Sequence, residues 1–391
     1  MNILYLSDIL NVHDERLLSQ FRAAGHTVTL LTFFHRAPEL PKFVVEMGLT
    51  IIHEKYATYP DGAGASRWRL IRAVEYRRDE ARACLKIKEV MRRNRFDVVF
   101  ANWALTSGYV AAHALAKPLC LFPWGSDILV WPKLHRGFAE RATKALRTAD
   151  LVVCNSKTAA EEAKRLARLR PDAVEVLPIE LDGGKFEPRP RNDALRAEWG
   201  LGDKTVIIST RPLKEMYDHP TLLAALAKPG MEKFAVALVG EGNLRADLEK
   251  RAADLKVSDR VKFVGMVDNE KIPDHLAAGD IYVTCSRSDS ASLGLLEAMA
   301  SGLPVVASDI PANREWIADG QSGWVFPGGN SEALSQVLLK AVENEPIRQE
   351  VALRGRAISL ARADARKNFP RLLARIEALA KAAKLAPPSM R

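Results

Sequence analysis

Apolar residues in the first half of the chain come in short unbroken runs, separated by stretches in which they recur every three or four positions. Ile3–Leu6 reads as a strand, His13–Ala24 as a helix and Thr27–Leu31 as the next strand, with Gly25 and His26 at the turn. Val98–Phe100, Leu119–Phe122 and Leu151–Cys154 are further apolar runs, with helical material between them. Short apolar runs without polar alternation belong to strands covered on both faces. Alternating with helices, they predict a parallel, doubly wound sheet. After Val176-Leu177-Pro178, the glycine- and proline-rich stretch from Asp182 to Pro190 interrupts the pattern like a linker. The pattern restarts at Thr205–Ser209, Ala235–Val239, Val261–Val264, Ile281–Thr284 and Val305–Ala307. The tail from about Ser359 to Leu385 is rich in Ala, Arg, Lys and Leu and reads as helix, ending at Ala386-Pro387-Pro388.

At 391 residues the chain exceeds the roughly 250–300 at which single cores stop growing. The expected architecture is α/β, with two Rossmann-like doubly wound domains facing each other across a cleft. Residues 1–178 form the first domain, 179–190 the linker and 191–358 the second domain. Helices in 359–391 are expected to pack back toward the first. Ligands of such sheets bind outside the carboxyl ends of the strands, so the loops there are where chemistry is sought.

Composition narrows the field. With 48% hydrophobic and 27% charged residues the chain is an ordinary globular protein. No apolar run reaches the roughly 18–20 residues that span a bilayer. The start, Met1 to Asp8, reads as a strand and not as a signal peptide. Cys84, Cys120, Cys154 and Cys285 lie far apart, without the paired spacing of zinc or redox sites. Three of them sit in or beside apolar runs, as buried reduced thiols do, and a cytoplasmic protein is expected. Formal charge is +9, and the segment 67–95 alone holds eleven basic against four acidic residues. One reading of that segment is a surface helix packed by one face, with Ile71, Val74, Ala81, Leu85 and Met91 near a helical period. The other is a basic face for an anionic acceptor or anionic lipid head groups, giving peripheral contact with the inner face of a membrane. Nucleic acid is not expected: no recognition motif accompanies the charge, and aromatic residues make up 7% of the chain.

The densest chemistry follows the strand Asp280–Cys285. Ser286-Arg287-Ser288-Asp289-Ser290-Ala291-Ser292 leads into a helix, Leu293-Gly294-Leu295-Leu296-Glu297-Ala298-Met299-Ala300, which Gly302-Leu303-Pro304 breaks. Ser and Asp ahead of a helix are good caps, and free N–H groups there form an anion site. A diphosphate fits above Ser292, Leu293, Gly294 and Leu295. Glu297 stands where a carboxylate accepts two hydroxyl hydrogen bonds from a ribose. A capped turn with one exposed glutamate is the plainer alternative.

This stretch resembles the retaining glycosyltransferases of family 4, which have a GT-B fold and a Glu-x7-Glu motif here. Asp289 stands at the first glutamate position and Glu297 at the second. The resemblance implies that Glu297 binds the donor ribose and that Asp289 lies by the donor sugar hydroxyls, its shorter arm bearing on donor identity. Pro178–Pro188 is similar to the family's interdomain segment. Leu238-Val239-Gly240-Glu241-Gly242-Asn243-Leu244 is similar to its glycine turn, while Arg245 at the third glycine position of a dinucleotide fingerprint argues against NAD. Val264, Gly265 and Met266 match the strand end whose backbone reads the nucleotide base. Ala298–Ser308 and Asn313–Ile317 continue the match, which covers almost all of the second half.

Cations for the leaving diphosphate are expected after Val206–Ser209. Arg211 stands at or one residue before the family's arginine, Tyr217 stands at its usual lysine, and Lys214 lies nearby off register. The N-terminal domain resembles the family less closely. Its loop Ser7–Asp14 has an Asn-x-His turn, making Asn11 and His13 acceptor-side candidates against a helix cap and a surface histidine. Asn102 takes the place near which many members carry a histidine. Pro123-Trp124-Gly125-Ser126-Asp127 resembles the family's Gly-Ser-Asp turn, implying that Asp127 faces the donor sugar or acceptor.

The resemblance implies transfer from a nucleotide-diphosphate sugar, as co-substrate, to a hydroxyl of a lipid-linked or glycan acceptor in cell-envelope glycan, glycolipid or polysaccharide synthesis. No metal and no other cofactor is expected. Two rivals remain: a sugar-nucleotide epimerase of the same fold, and a catalytically silent sugar- or lipid-binding subunit.

Overall fold

The computed structural model describes residues 1–8, 10–33, 40–54 and 69–385, with backbone only for 69–76. Among these residues thirteen strands form two sheets, and every ladder within them is parallel. The first sheet contains β1 (Asn2–Leu6), β2 (Thr27–Thr32), β3 (Thr50–His53), β4 (Val98–Asn102), β5 (Leu119–Phe122), β6 (Leu151–Cys154) and β7 (Val174–Val176), in the order 3-2-1-4-5-6-7. The second contains β8 (Thr205–Ser209), β9 (Phe234–Val239), β10 (Val261–Gly265), β11 (Ile281–Thr284), β12 (Val305–Ser308) and β13 (Trp324–Phe326), in the order 10-9-8-11-12-13. The order reverses between β1 and β4 in one sheet and between β8 and β11 in the other. At such switch points neighbouring loops diverge and leave a crevice.

Both faces of each sheet are covered, which is why the strands read as unbroken apolar runs. Val206, Ile208, Tyr282 and Ala307 share one face with Leu295, Leu296 and Met299 of the helix Leu293–Ala300. Ile207, Val236, Val283 and Phe326 share the opposite face with Leu222, Leu226, Leu334 and Leu338. In the first sheet Leu4, Leu6, Val99 and Leu121 pack into one such cluster. Tyr5 stacks on Phe100 at 5.5 Å, and Phe21 meets Phe100 edge-on at 5.3 Å.

The chain divides into two compact units, Met1–Leu177 with Phe369–Arg391, and Pro178–Asn368. The stretch read as a linker is packed into the second unit. Leu181 and Phe186 are buried, Leu181 bridges Asp364, and Asn368 Nδ2 donates to the Pro178 carbonyl at 2.7 Å. The tail joins the first unit from Phe369, whose ring meets Phe21 at 5.2 Å. Lys384 pairs with Asp97, and Arg375 with Glu175, both at 2.7 Å.

The basic segment folds as the helix Arg69–Arg93, with Arg67 and Trp68 outside the described residues. Its buried stripe differs from the one read in the sequence. Glu80, Ala83, Ile87 and Val90 face inward, whereas Ala81 and Leu85 are exposed. The cause is a bidentate ion pair between Glu80 and Arg141, which lets a carboxylate occupy the inward stripe. Among the described residues no helix is long and apolar enough to cross a membrane. Cys120, Cys154 and Cys285 are buried, and burial pushes their thiols far above the usual range.

Candidate active site

In the second unit the switch point joins the loop after β8 to the loop after β11. Arg211, two residues beyond β8, is buried, and its Nη2 donates to Asp289 Oδ2 at 2.5 Å. Its guanidinium carbon lies 4.2 Å from the centre of the Tyr217 ring. Burial opposes the charge, but Asp289, Tyr217, Tyr282 and Glu297 outweigh it, so Arg211 stays cationic. Its Nε is buried and has no hydrogen-bond partner among the described residues. A buried donor left unpaired costs about 1–3 kcal/mol, so this N–H stands ready for an acceptor.

The helix Leu293–Ala300 begins beside Arg211's strand. The expected capping by Ser or Asp does not occur. Ser292 takes a left-handed conformation (φ 46°) and its hydroxyl does not turn back onto the first turn. That hydroxyl is itself buried without a partner among the described residues. Asp289 is engaged elsewhere, accepting from Arg211 and from the Ser290 N–H. The leading end of the helix, with the N–H groups of Leu293, Gly294 and Leu295, therefore carries its partial positive charge without a side-chain cap. A side chain at Gly294 would lie 2.5 Å from the Tyr282 hydroxyl and 2.7 Å from Thr210 Oγ1, so the glycine lets the helix close onto β8 and β11. Glu297 is buried and its charge reaches both Arg211 and Tyr282. The loop beneath is braced by a buried polar chain. Thr284 meets Ser286 at 2.8 Å, Ser308 donates to the Ser286 carbonyl at 2.5 Å, and Asn313 donates to the Ser308 carbonyl at 2.9 Å.

Gly240 and Gly242 serve the backbone. A Cβ on Gly242 would stand 2.2 Å from the Leu213 carbonyl oxygen, and one on Gly240 would stand 2.9 Å from that of Arg211. The glycine turn thus lies directly on the Arg211 loop, and Leu213 N–H donates to the Glu241 carbonyl at 3.0 Å. Gly240 N–H also donates to the Gly265 carbonyl at 2.9 Å, tying in the end of β10. Of the residues expected to read the base, Val264 is half-buried, Gly265 is buried with φ 90°, and Met266 is 79% exposed. Lys214 is exposed at the start of the turn Glu215–Tyr217.

Sequence reasoning did not foresee the Tyr217 ring against Arg211, because a stack depends on three-dimensional register. It also missed His219, whose Nε2 lies 3.1 Å from the Pro212 carbonyl. Burial, with Arg211 close by, lowers the His219 pKa to about 4.

Three candidate residues of the first unit hold contacts within the fold. Asp127 is fully buried, and its carboxylate accepts from the N–H groups of Ala104 (2.7 Å), Gly125 (2.9 Å) and Trp124 (3.1 Å). It clasps the loop at Ala104 to the turn at Trp124 and Gly125. Burial outweighs those donors and raises its pKa to about 6. Asn11 caps the helix Val12–Ala23, accepting from His13 N–H at 2.8 Å and forming a capping box with Asp14. Asn102 is buried inside, donating to Tyr5 and, at 2.7 Å, to Asp14 Oδ1. The Asp14 carboxyl is pushed up by burial against the effect of these hydrogen bonds. His13 is half-buried and stacks on Trp124 at 4.3 Å. Nearby, Ser107 donates to the buried Asp8 at 3.0 Å, and Leu10 and Trp103 both hold positive φ.

Two doubly wound units, one carrying an anion-ready switch point, define a GT-B protein. Two family models match the chain, Glycosyltransferase Family 4 over residues 10–179 and Glycosyl transferases group 1 over residues 191–358. The chain belongs to the glycosyltransferases of family 4. A GDP-mannose-dependent alpha-(1-6)-phosphatidylinositol monomannoside mannosyltransferase of Mycolicibacterium smegmatis is 32% identical over 173 residues, 42% of this chain. That match spans 45% of the mannosyltransferase, less than two thirds of its length. A phosphatidyl-myo-inositol mannosyltransferase of the same organism is 26% identical over 86% of this chain and 81% of its own. Among solved structures, HepE of Anabaena in complex with UDP and glucose is 21% identical, with a TM-score of 0.78 over 97% of this chain and all of that one. At that identity the likeness establishes the fold.

Proposed function

We propose that the protein is a retaining, metal-independent glycosyltransferase that moves a sugar from a nucleoside-diphosphate donor to a hydroxyl of a lipid-linked or glycan acceptor in cell-envelope synthesis. One observation carries the reading: at one switch point, a buried Arg211 Nε, a helix start and a buried Ser292 hydroxyl all lack a side-chain or hydrogen-bond partner among the described residues. The acceptor class is supported by the two mannosyltransferases, whose names specify phosphatidylinositol substrates.

In this reading Arg211, the N–H groups of Leu293–Leu295 and Ser292 hold the diphosphate, with Lys214 adding charge from the loop surface. Glu297 takes the ribose hydroxyls, Asp289 a donor sugar hydroxyl, and the backbone at Val264–Met266 the base. The bond between the anomeric carbon and the diphosphate oxygen breaks first. The leaving diphosphate keeps the electron pair, and the site's cation and dipole stabilise that charge. The acceptor oxygen then attacks the same face of the sugar, and its proton passes to the departing diphosphate. On the first unit, His13 on Trp124 is the candidate acceptor contact. The helix Arg69–Arg93 would draw the protein to anionic lipid at the inner face of a membrane.

The test is calorimetric binding of UDP-, GDP- and ADP-sugars to wild type and Glu297→Ala. Wild type is expected to bind one donor class, and the variant to lose that binding while unfolding at the same temperature. A variant that binds as wild type does removes Glu297 from the ribose. A wild type that binds none of the three classes refutes the function.

A further inference from the structure

We propose that Tyr217 is a positioning residue that fixes the plane of the Arg211 guanidinium, so that Nε is the donor presented to the diphosphate. The inference rests on the assignment of Arg211 to that group. An arginine carries several freely rotating bonds, and a single ion pair at Nη2 leaves the guanidinium able to swing about that contact. The ring centre 4.2 Å from Cζ lies well inside the range of a cation–π contact and restrains the plane as well as the position. With Nη2 committed to Asp289 and the plane held by the ring, Nε is the buried donor that finds no partner among the described residues.

The ring is itself firmly placed. Tyr217 closes a tight turn through its N–H to the Lys214 carbonyl at 3.0 Å. Arg287 N–H donates to the Met216 carbonyl at 2.8 Å, linking that turn to the loop that carries Asp289. Asp218, next in sequence, accepts from Thr221 Oγ1 at 2.9 Å and pairs with Arg287 at 3.2 Å. The same two loops therefore supply both the ring and the carboxylate that hold the guanidinium.

The face of the ring does this work, and the hydroxyl does not. Tyr217→Phe should therefore bind UDP and GDP within about twofold of wild type. Tyr217→Leu, which keeps apolar bulk without the ring face, should weaken whichever of the two binds by about tenfold, equivalent to about 1.4 kcal/mol. Both variants should unfold at the wild-type temperature. A leucine variant that binds as tightly as wild type, or a phenylalanine variant as weak as leucine, overturns the proposal. A second readout does not depend on any ligand: nitrogen-15 relaxation of the Arg211 Nε–H, assigned by its loss in Arg211→Lys. Tyr217→Leu should release this group to fast motion, and an unchanged order parameter overturns the proposal. If wild type binds no UDP, GDP or ADP donor, the donor reading fails, while the relaxation result still decides the brace.

Discussion

Gly294→Ala tests how closely the helix start is set against the sheet. The added carbon would lie 2.5 Å from the Tyr282 hydroxyl and 2.7 Å from Thr210 Oγ1, both well inside van der Waals contact. Overpacking of this kind costs about 1–3 kcal/mol, and the better helix propensity of alanine returns about 1 kcal/mol. Net destabilisation of up to about 2 kcal/mol is expected, worth about 2–4 °C per kcal/mol in a domain of this size. Tyr282→Phe removes the nearer clashing atom. In wild type it loses a 3.4 Å contact with Thr210. The double variant should therefore recover stability, giving a favourable coupling of about 1 kcal/mol in a cycle of four proteins followed by chemical denaturation. Binding of UDP or GDP should track the same pattern, falling in Gly294→Ala and returning in the double variant, because the clash displaces the N–H groups of the first turn. If the two substitutions add within about 0.3–0.5 kcal/mol, the helix start is not seated as described.

Three further outcomes follow from other contacts. Ser292→Ala removes a buried hydroxyl without a partner among the described residues, so thermal stability should hold or rise by up to about 1 kcal/mol while nucleoside-diphosphate affinity falls; a parallel loss of both would make Ser292 structural. Phe21→Ala empties a buried site among Tyr5, Phe100 and Phe369 and should cost about 3–5 kcal/mol in denaturant melts, the largest loss of the set. His219 has a folded pKa of about 4, below its unfolded value. It must take up a proton on unfolding between the two, so its contribution is present above about pH 6.5 and is lost as pH falls toward 4, at up to about 1.4 kcal/mol per pH unit. His219→Gln should flatten that slope when stability is measured from pH 7 to pH 4, and an unchanged slope would place the titration elsewhere.

The central strands were legible because burial on both faces leaves an unbroken apolar signature, as at Leu119–Phe122 and Ile281–Thr284. β3, β7 and β13 escaped notice. They are edge strands of three or four residues, and β3 is largely half-buried, so its run carries little pattern. The helix Arg69–Arg93 was found, but Ala81 and Leu85 were read as inward where Glu80 and Ala83 are buried, since an acid paired with a distant arginine looks like a surface residue in sequence; the side chains of Ile71 and Val74 lie outside the described residues. Arg211, Asp289, Glu297 and Gly294 were legible as local motif, and the fold brings the loops carrying them to one switch point. The contacts of Asp127 and Asn102 were not legible, because a polar residue looks the same in sequence whether it serves a ligand or the fold, and for Asn11 the cap was one of two open readings. Only their partners decide. The Tyr217 contact was hidden for the opposite reason, since no spacing rule announces a ring lying under a guanidinium.

The glycine seam has a consequence for altering donor preference. Gly265 is bonded to Gly240, Gly240 lies on Arg211, and Gly242 lies on Leu213, all through main-chain atoms that substitution leaves in place. On the proposed roles, the edge that meets the base and the cation that meets the leaving group are two ends of one stiff piece of backbone. Reshaping the 240–244 turn or the end of β10 to admit another nucleotide would therefore also move Arg211. Base selectivity and turnover should change together in such variants, and swapping side chains that point away from the seam is the route to changing one without the other.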